Sequence, residues 1–282
     1  MIYTQLDLTP NPTYPTYPPY HIGDYLEDYF RNRFISENPN ISRDYIGISW
    51  TTLYCQGPRS GIQPFLDSLP KDKKYFTVSQ HDDAPGDLLP ENTLCFSAGG
   101  NIQNKNIIPI PLVCSSMNVR MEDNHPRPIL ASFVGSITHP IRSHMCEALK
   151  DSKNIILYGK QWSNTVSEDQ FSSFIRLSLN SKFCLCPRGY GLNSFRLYEA
   201  MQLGCVPVII TDKFYLPWSD ELDWKEFSVL IHSDQISNIE NILLSYSDDQ
   251  IKDMKNKIKT IYDEYFTLDG MYNNIIKRLK ND

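Results

Sequence analysis

The chain lacks most of the short motifs by which nucleotide and metal sites are recognised. No Gly-Lys-Ser/Thr follows a glycine loop, no G-x-G-x-x-G occurs, and no two cysteines stand as C-x-x-C. These absences exclude a P-loop, a dinucleotide fingerprint and a paired-cysteine zinc or redox site. The seven cysteines, at 55, 95, 114, 146, 184, 186 and 205, form an odd set and read as free thiols in a reducing compartment. Apolar runs are short. None approaches the roughly 20 residues of a membrane span, and the opening MIYTQLDLTPNPTY has neither a basic nor an apolar leader region. A soluble, cytoplasmic protein without a membrane span is therefore expected. Positive charge is also in deficit: 27 Lys plus Arg stand against 33 Asp plus Glu, and the resulting net charge of −6 argues against a nucleic-acid partner.

Length is ample. At 282 residues the chain can form two domains, each with a core of its own. The stretch with the clearest signal runs from Ser181 to Trp224. Phe183 to Cys186 is an apolar run of the buried-strand type, Pro187 to Leu192 a loop with two glycines, and Asn193 or Ser194 can cap the helix that follows. Leu197, Ala200 and Met201 give that helix an apolar stripe, Gly204 ends it, and Val206 to Ile210 begins another strand. Strand, helix, strand implies a parallel sheet, whose ligands sit at the carboxyl ends of its strands. Cys184 and Cys186 fall on one face of the first strand and are read as packing there.

The loop suits a diphosphate. Gly189 and Gly191 allow close approach of backbone N–H groups, with Tyr190 between them, and the helix start attracts anions. Arg188 and Arg196 can add fork-shaped donors, and Glu199, one turn later, can hold the hydroxyls of a ribose. Diphosphate plus ribose means a nucleotide. The plainer alternatives are that Arg196 and Glu199 form a surface i,i+3 ion pair and that the glycines serve a tight turn only.

The run FCLCPRGYGLNSFRLYEAMQLGCVPVII, followed by LPW and DW, resembles the signature of the exostosin glycosyltransferases, glycosyltransferase family 47. The likeness is densest over 174–231. Weaker pieces are KKYFTVSQHDDAP and FVGSITHPIRSHM. The resemblance implies an α/β fold of two Rossmann-like domains facing a cleft, the GT-B type. It also implies an inverting, metal-independent enzyme, with a nucleotide-sugar donor, most simply a UDP-sugar, held by the C-terminal domain and a glycan hydroxyl as acceptor. No cofactor and no metal site are expected. Gly135 and Arg142, at a second strand-glycine-helix junction, become candidates for the diphosphate together with Arg188, Gly189, Tyr190, Gly191, Asn193, Ser194, Arg196 and Glu199. Arg142 reads alternatively as a solvated helix charge.

Boundaries are placed at 1–127, 128–265 and 266–282, the last a helix that can cross back to the first domain, with 118–128 as linker. The proline- and tyrosine-rich Thr9 to Tyr20 is either a mobile arm or an ordered one beside the acceptor, and Ile22 to Phe34 reads as a helix. Tyr45 to Leu53, Tyr75 to Ser79, Leu94 to Ser97 and Ile107 to Val113 read as strands, and Ile62 to Leu69 as a helix. The second of these strands delivers His81, Asp82 and Asp83 to its carboxyl end. Asp82 or Asp83 is the candidate general base, with His81 and then Glu27 next in line. Two rivals stand beside the transferase reading. One is a metal-dependent single-Rossmann enzyme using His81-Asp82-Asp83, although the sequence has no D-x-D; the other is a catalytically idle sugar-binding or scaffold protein.

Overall fold

The computed structural model describes residues 2–3, 26–56, 61–83, 85, 88–101, 105–114, 116–117, 125–162 and 167–282. The Pro/Tyr arm, most of the 118–128 linker and Gly86 lie outside them. The chain divides into two units, the described residues of the first falling in 2–3, 26–113 and 264–282 and those of the second in 114–263.

The first unit is built on a parallel sheet in the order β1 (Ile2–Tyr3), β2 (Asp44–Ile46), β3 (Tyr75–Ser79), β4 (Thr93–Ser97) and β5 (Ile107–Pro109). Every residue of β3 is buried, as expected of a central strand covered on both faces. Helix α1 (Leu26–Glu37) lays Leu26, Phe30 and Phe34 on the sheet, and the rings of Phe30, Phe34, Tyr45 and Phe76 pack at centroid separations of 4.8–6.1 Å. Helix α9 (Leu268–Lys280) belongs to this unit and brings Tyr272 within 5.1 Å of Phe30.

Two strand readings are corrected here. Within Tyr45 to Leu53 only the start is strand; from Trp50 the chain turns into α2 (Trp50–Gln56). The cause is distant. The Glu27 carboxylate of α1 accepts from Thr51 N at 2.9 Å and Thr51 Oγ1 at 2.9 Å and so satisfies the open donors at the helix start. Ile107 to Val113 stops pairing at Pro109 although Ile110 and Leu112 stay buried, since Pro109 and Pro111 have no N–H to give a ladder. Helix α3 (Ile62–Asp67) lies between α2 and β3.

The second unit contains β6 (Ile129–Ser136), α4 (Pro140–Leu149), β7 (Ile155–Lys160), α5 (Glu168–Leu179), β8 (Ser181–Pro187), α6 (Phe195–Gln202), β9 (Val206–Thr211), β10 (Val229–His232), α7 (Ile239–Leu244) and α8 (Asp248–Tyr265). Its sheet is parallel in the order β10-β9-β8-β6-β7. From β6 the chain steps outward to β7, then returns to lay β8 on the other side of β6. The order reverses there, and a doubly wound sheet opens a crevice at the carboxyl ends of such a pair of strands. Ala131, Phe133, Phe183, Leu185, Val206 and Val208 are core residues of this sheet, and Met145 and Ile258 come from α4 and α8. Cys184 and Cys186 pack with Ala200 and Cys205, and all seven cysteines are free thiols. Among the described residues no helix is long and apolar enough to cross a membrane.

Candidate functional site

At the end of β6 the chain turns through Ile137, Thr138 and His139 into α4. His139 is the N-cap, its Nδ1 accepting from Ile141 N at 3.3 Å, and Pro140 opens the helix. One turn in, Arg142 reaches across the point of strand reversal. It donates to Ser136 O at 2.7 Å, Arg188 O at 3.0 Å and Pro187 O at 3.2 Å, tying the ends of β6 and β8 together. A side chain at Gly189 would place its Cβ 3.0 Å from Arg142 Nη2. A residue larger than glycine at 189 would press on the guanidinium and oblige it to shift by a few tenths of an ångström. A Cβ at Gly135 would stand 3.0 Å from the Phe133 ring.

Arg188 is also engaged. Its Nη1 pairs with Asp212 at 2.8 Å, its Nη2 donates to Tyr190 O at 2.8 Å, and its backbone N donates to Ile210 O at 2.9 Å. The guanidinium holds the Asp212 carboxyl below its ordinary range. Behind Asp212, His232 Nε2 lies 3.1 Å from the Asp212 carbonyl and Nδ1 2.8 Å from Asp234, which raises the imidazole above the usual histidine value. Burial, then the nearby Arg188, lowers His139. Sequence reasoning missed Asp212 and His139, though both stand just beyond the carboxyl end of a strand, where the rule that found Arg188 applies equally.

In α6, Ser194 occupies the N-cap position with extended backbone, but its hydroxyl makes no capping bond. Asn193 is nearly buried, and its Oδ1 accepts from Ser194 N at 3.0 Å and Tyr198 OH at 3.1 Å. Tyr190, in contrast, is 61% exposed. The surface-pair reading of Arg196 and Glu199 does not hold: Glu199 is buried, and Arg196 Nε stands 3.2 Å from its Oε2. The guanidinium lies flat on Phe174 of α5, 3.7 Å from the ring centre, and its Nη1 is buried without a hydrogen-bond partner among the described residues. Charge-assisted donors of this kind are costly to leave unmatched.

On the first unit, His81, Asp82 and Asp83 make a half-buried turn at the end of β3. His81 Nδ1 accepts from Asp83 N at 3.1 Å, and the imidazole packs 5.0 Å from Tyr54. The turn is knitted to the segment after β4. Asn101 donates through Nδ2 to Asp83 Oδ1 at 2.8 Å and through its backbone to Asp82 O at 3.1 Å, and Gly99 passes so close to Asp82 that a Cβ there would clash. Glu27 lies beneath, fully buried, accepting from Gln80 N at 2.7 Å. Burial pushes its carboxyl up to about 7. Its bonds go to backbone and to Thr51, so it braces the turn. Among the described residues no group of three or more His, Cys, Asp or Glu is arranged to hold a metal ion.

Comparison with known proteins matches residues 68–246 to the Exostosin GT47 domain. A probable glycosyltransferase of Arabidopsis thaliana is 38% identical over 132 residues, 47% of this chain and 24% of that protein. The exostosin-1 homolog of Caenorhabditis elegans is 36% identical over 110 residues, 37% of this chain and 29% of that one. Human exostosin-2 is 38% identical over 84 residues, 30% and 12% of the two chains. The chain thus matches about a quarter or less of the length of the Arabidopsis and human relatives. Among solved structures, TarM aligns over 79% of this chain and 53% of its own with a TM-score of 0.44 at 12% identity. The matched domain runs through both sheets, over more than half of the sequence, and on that match the chain belongs to the Exostosin GT47 family.

Proposed function

We propose that the chain is an inverting glycosyltransferase of the GT-B type, moving a sugar from a nucleotide sugar, most simply a UDP-sugar, to a hydroxyl of a glycan acceptor. The observation that carries the reading is the Arg196–Glu199 pair at the start of α6, its carboxylate buried and its guanidinium half-buried with a nitrogen left without a hydrogen-bond partner among the described residues. In this reading Glu199 accepts from ribose hydroxyls, and Arg196 with the N–H groups of the Gly189–Gly191 loop receives the diphosphate. Arg142 and Arg188 contribute by fixing that loop, since Arg142 donates to the carbonyls of Ser136, Pro187 and Arg188, and Arg188 pairs with Asp212.

The acceptor oxygen attacks the anomeric carbon from the face opposite the diphosphate. The bond to the diphosphate breaks with its electron pair on the leaving oxygen, where fixed cations stabilise the growing charge. The acceptor proton passes to a carboxylate, for which Asp82 and Asp83 are the candidates, with His81 behind them. Such general-base help is worth roughly 10²–10⁴ in rate. The free thiols suit a reducing, cytoplasmic setting.

The deciding experiment is a turnover screen of UDP-, GDP- and dTDP-sugars, with and without EDTA. Consumption of a UDP-sugar that survives the chelator is expected. Binding of a nucleotide with no turnover of any donor points to an idle sugar-binding protein, and loss in EDTA with rescue by manganese points to a metal-dependent enzyme.

A further inference from the structure

Lys160 closes β7, and in the parallel ladder it pairs with Ser136 at the end of β6. Its Nζ donates to Gln170 Oε1 on α5 at 2.5 Å. Four residues further along α5, Phe174 carries the Arg196 guanidinium on its ring. Residues i and i+4 share a helix face at roughly 5–6 Å between Cβ atoms. Helix α5 therefore seats the two cations side by side at the carboxyl edge of the sheet. Their proximity registers electrostatically: burial first, then Arg196, lowers the Lys160 ammonium below the usual lysine range.

The acids beside them do not balance the charge. Glu199 is paired with Arg196, whereas Lys160 has no carboxylate at ion-pair distance among the described residues, and Gln170 is neutral. Two partly buried cations with a single carboxylate paired to one of them repel each other unless an anion joins them. Asp212, another acid of this edge, pairs with Arg188, and Glu168 and Asp169 in the exposed first turn of α5 form no ion pair with Lys160 among the described residues.

We propose that Lys160 and Arg196 together hold one anionic group, a phosphate of the donor diphosphate, making Lys160 a binding residue of the site. The inference rests on the nucleotide-sugar reading above. An ammonium acts as a rotatable point charge and tolerates the movement of a leaving phosphate, while the guanidinium fork fixes its orientation.

Calorimetry with UDP and with uridine, on the wild type, Lys160→Met and Lys160→Arg, tests this. The methionine variant is expected to bind UDP about tenfold or more weakly, with uridine affinity unchanged and the arginine variant close to wild type. Unchanged UDP affinity in Lys160→Met overturns the inference, and so does an equal loss for UDP and uridine, which marks a purely structural role. If the wild type binds neither, the nucleotide reading itself falls and takes this inference with it. Melting curves of each variant identify a misfolded protein, and Lys160→Gln then replaces the methionine variant, read against the same outcomes.

Discussion

Among the described residues Glu199 is buried against one ion-pair partner, Arg196, whose Nη1 has no hydrogen-bond acceptor. Glu199→Gln should therefore weaken UDP binding by about 1–3 kcal/mol, because the ribose hydroxyls lose a charged acceptor, while the fold survives. Calorimetry that finds UDP affinity unaltered removes Glu199 from the site. Asn101 ties Asp83 Oδ1 and the Asp82 carbonyl of the β3 turn to the segment after β4. With one of the two aspartates as the base, Asp82→Asn or Asp83→Asn lowers kcat by about 10²-fold or more at unchanged UDP affinity. A lowered melting temperature with near-normal turnover per folded molecule in both variants gives the pair a structural role and places the base elsewhere. At this scale the spacing of Arg196 and Glu199 is legible in the sequence, because i,i+3 on a helix is local. Their burial is not, since the floor beneath them, Phe174, belongs to a different helix.

The elements repeat that division between local and distant causes. Strand β3 is read to its bounds because YFTVS is continuous, β-rich and flanked by Lys73-Lys74 and Gln80. Helix α2 is misread because its cap arrives from Glu27 on α1. That cap has a pH signature. With its folded value raised from 4.5 to about 7, Glu27 binds more protons in the native than in the unfolded chain over that interval. Its contribution is fully present below about 4.5 and is lost as pH rises through about 7. The shift corresponds to about 3 kcal/mol at full ionisation. Glu27→Gln, which cannot ionise, should flatten this part of the stability profile. Urea melts at pH 5 and pH 8 check it: the difference in unfolding free energy between wild type and variant must move against the wild type at the higher pH, and an unchanged difference refutes the assignment.

For the whole molecule, composition and the βαβ pattern made two parallel sheets legible, and the expectation that the last helix can cross back agrees with its place in the first unit. Helix α9 buries Met271, Tyr272, Ile275 and Leu279 in the first unit. Asp282 after it pairs with Arg43 at 2.7 Å, and that guanidinium also bonds Tyr75 O and Asn92 O at the heart of the sheet. Cutting the chain after Asp263 should therefore abolish the cooperative melting of the first unit and leave a transition for the second. Scanning calorimetry that finds both transitions intact contradicts this. The same connectivity sets an order on the ribosome. Domains usually fold in the order in which they emerge, at about 5–20 residues per second. Here the second unit is finished first, and the nascent first unit must wait roughly 8–30 s while residues 114–263 are made before its closing helix appears. During that interval the aromatic face of α1 around Phe30 is uncovered, and it is the surface a chaperone would have to shield.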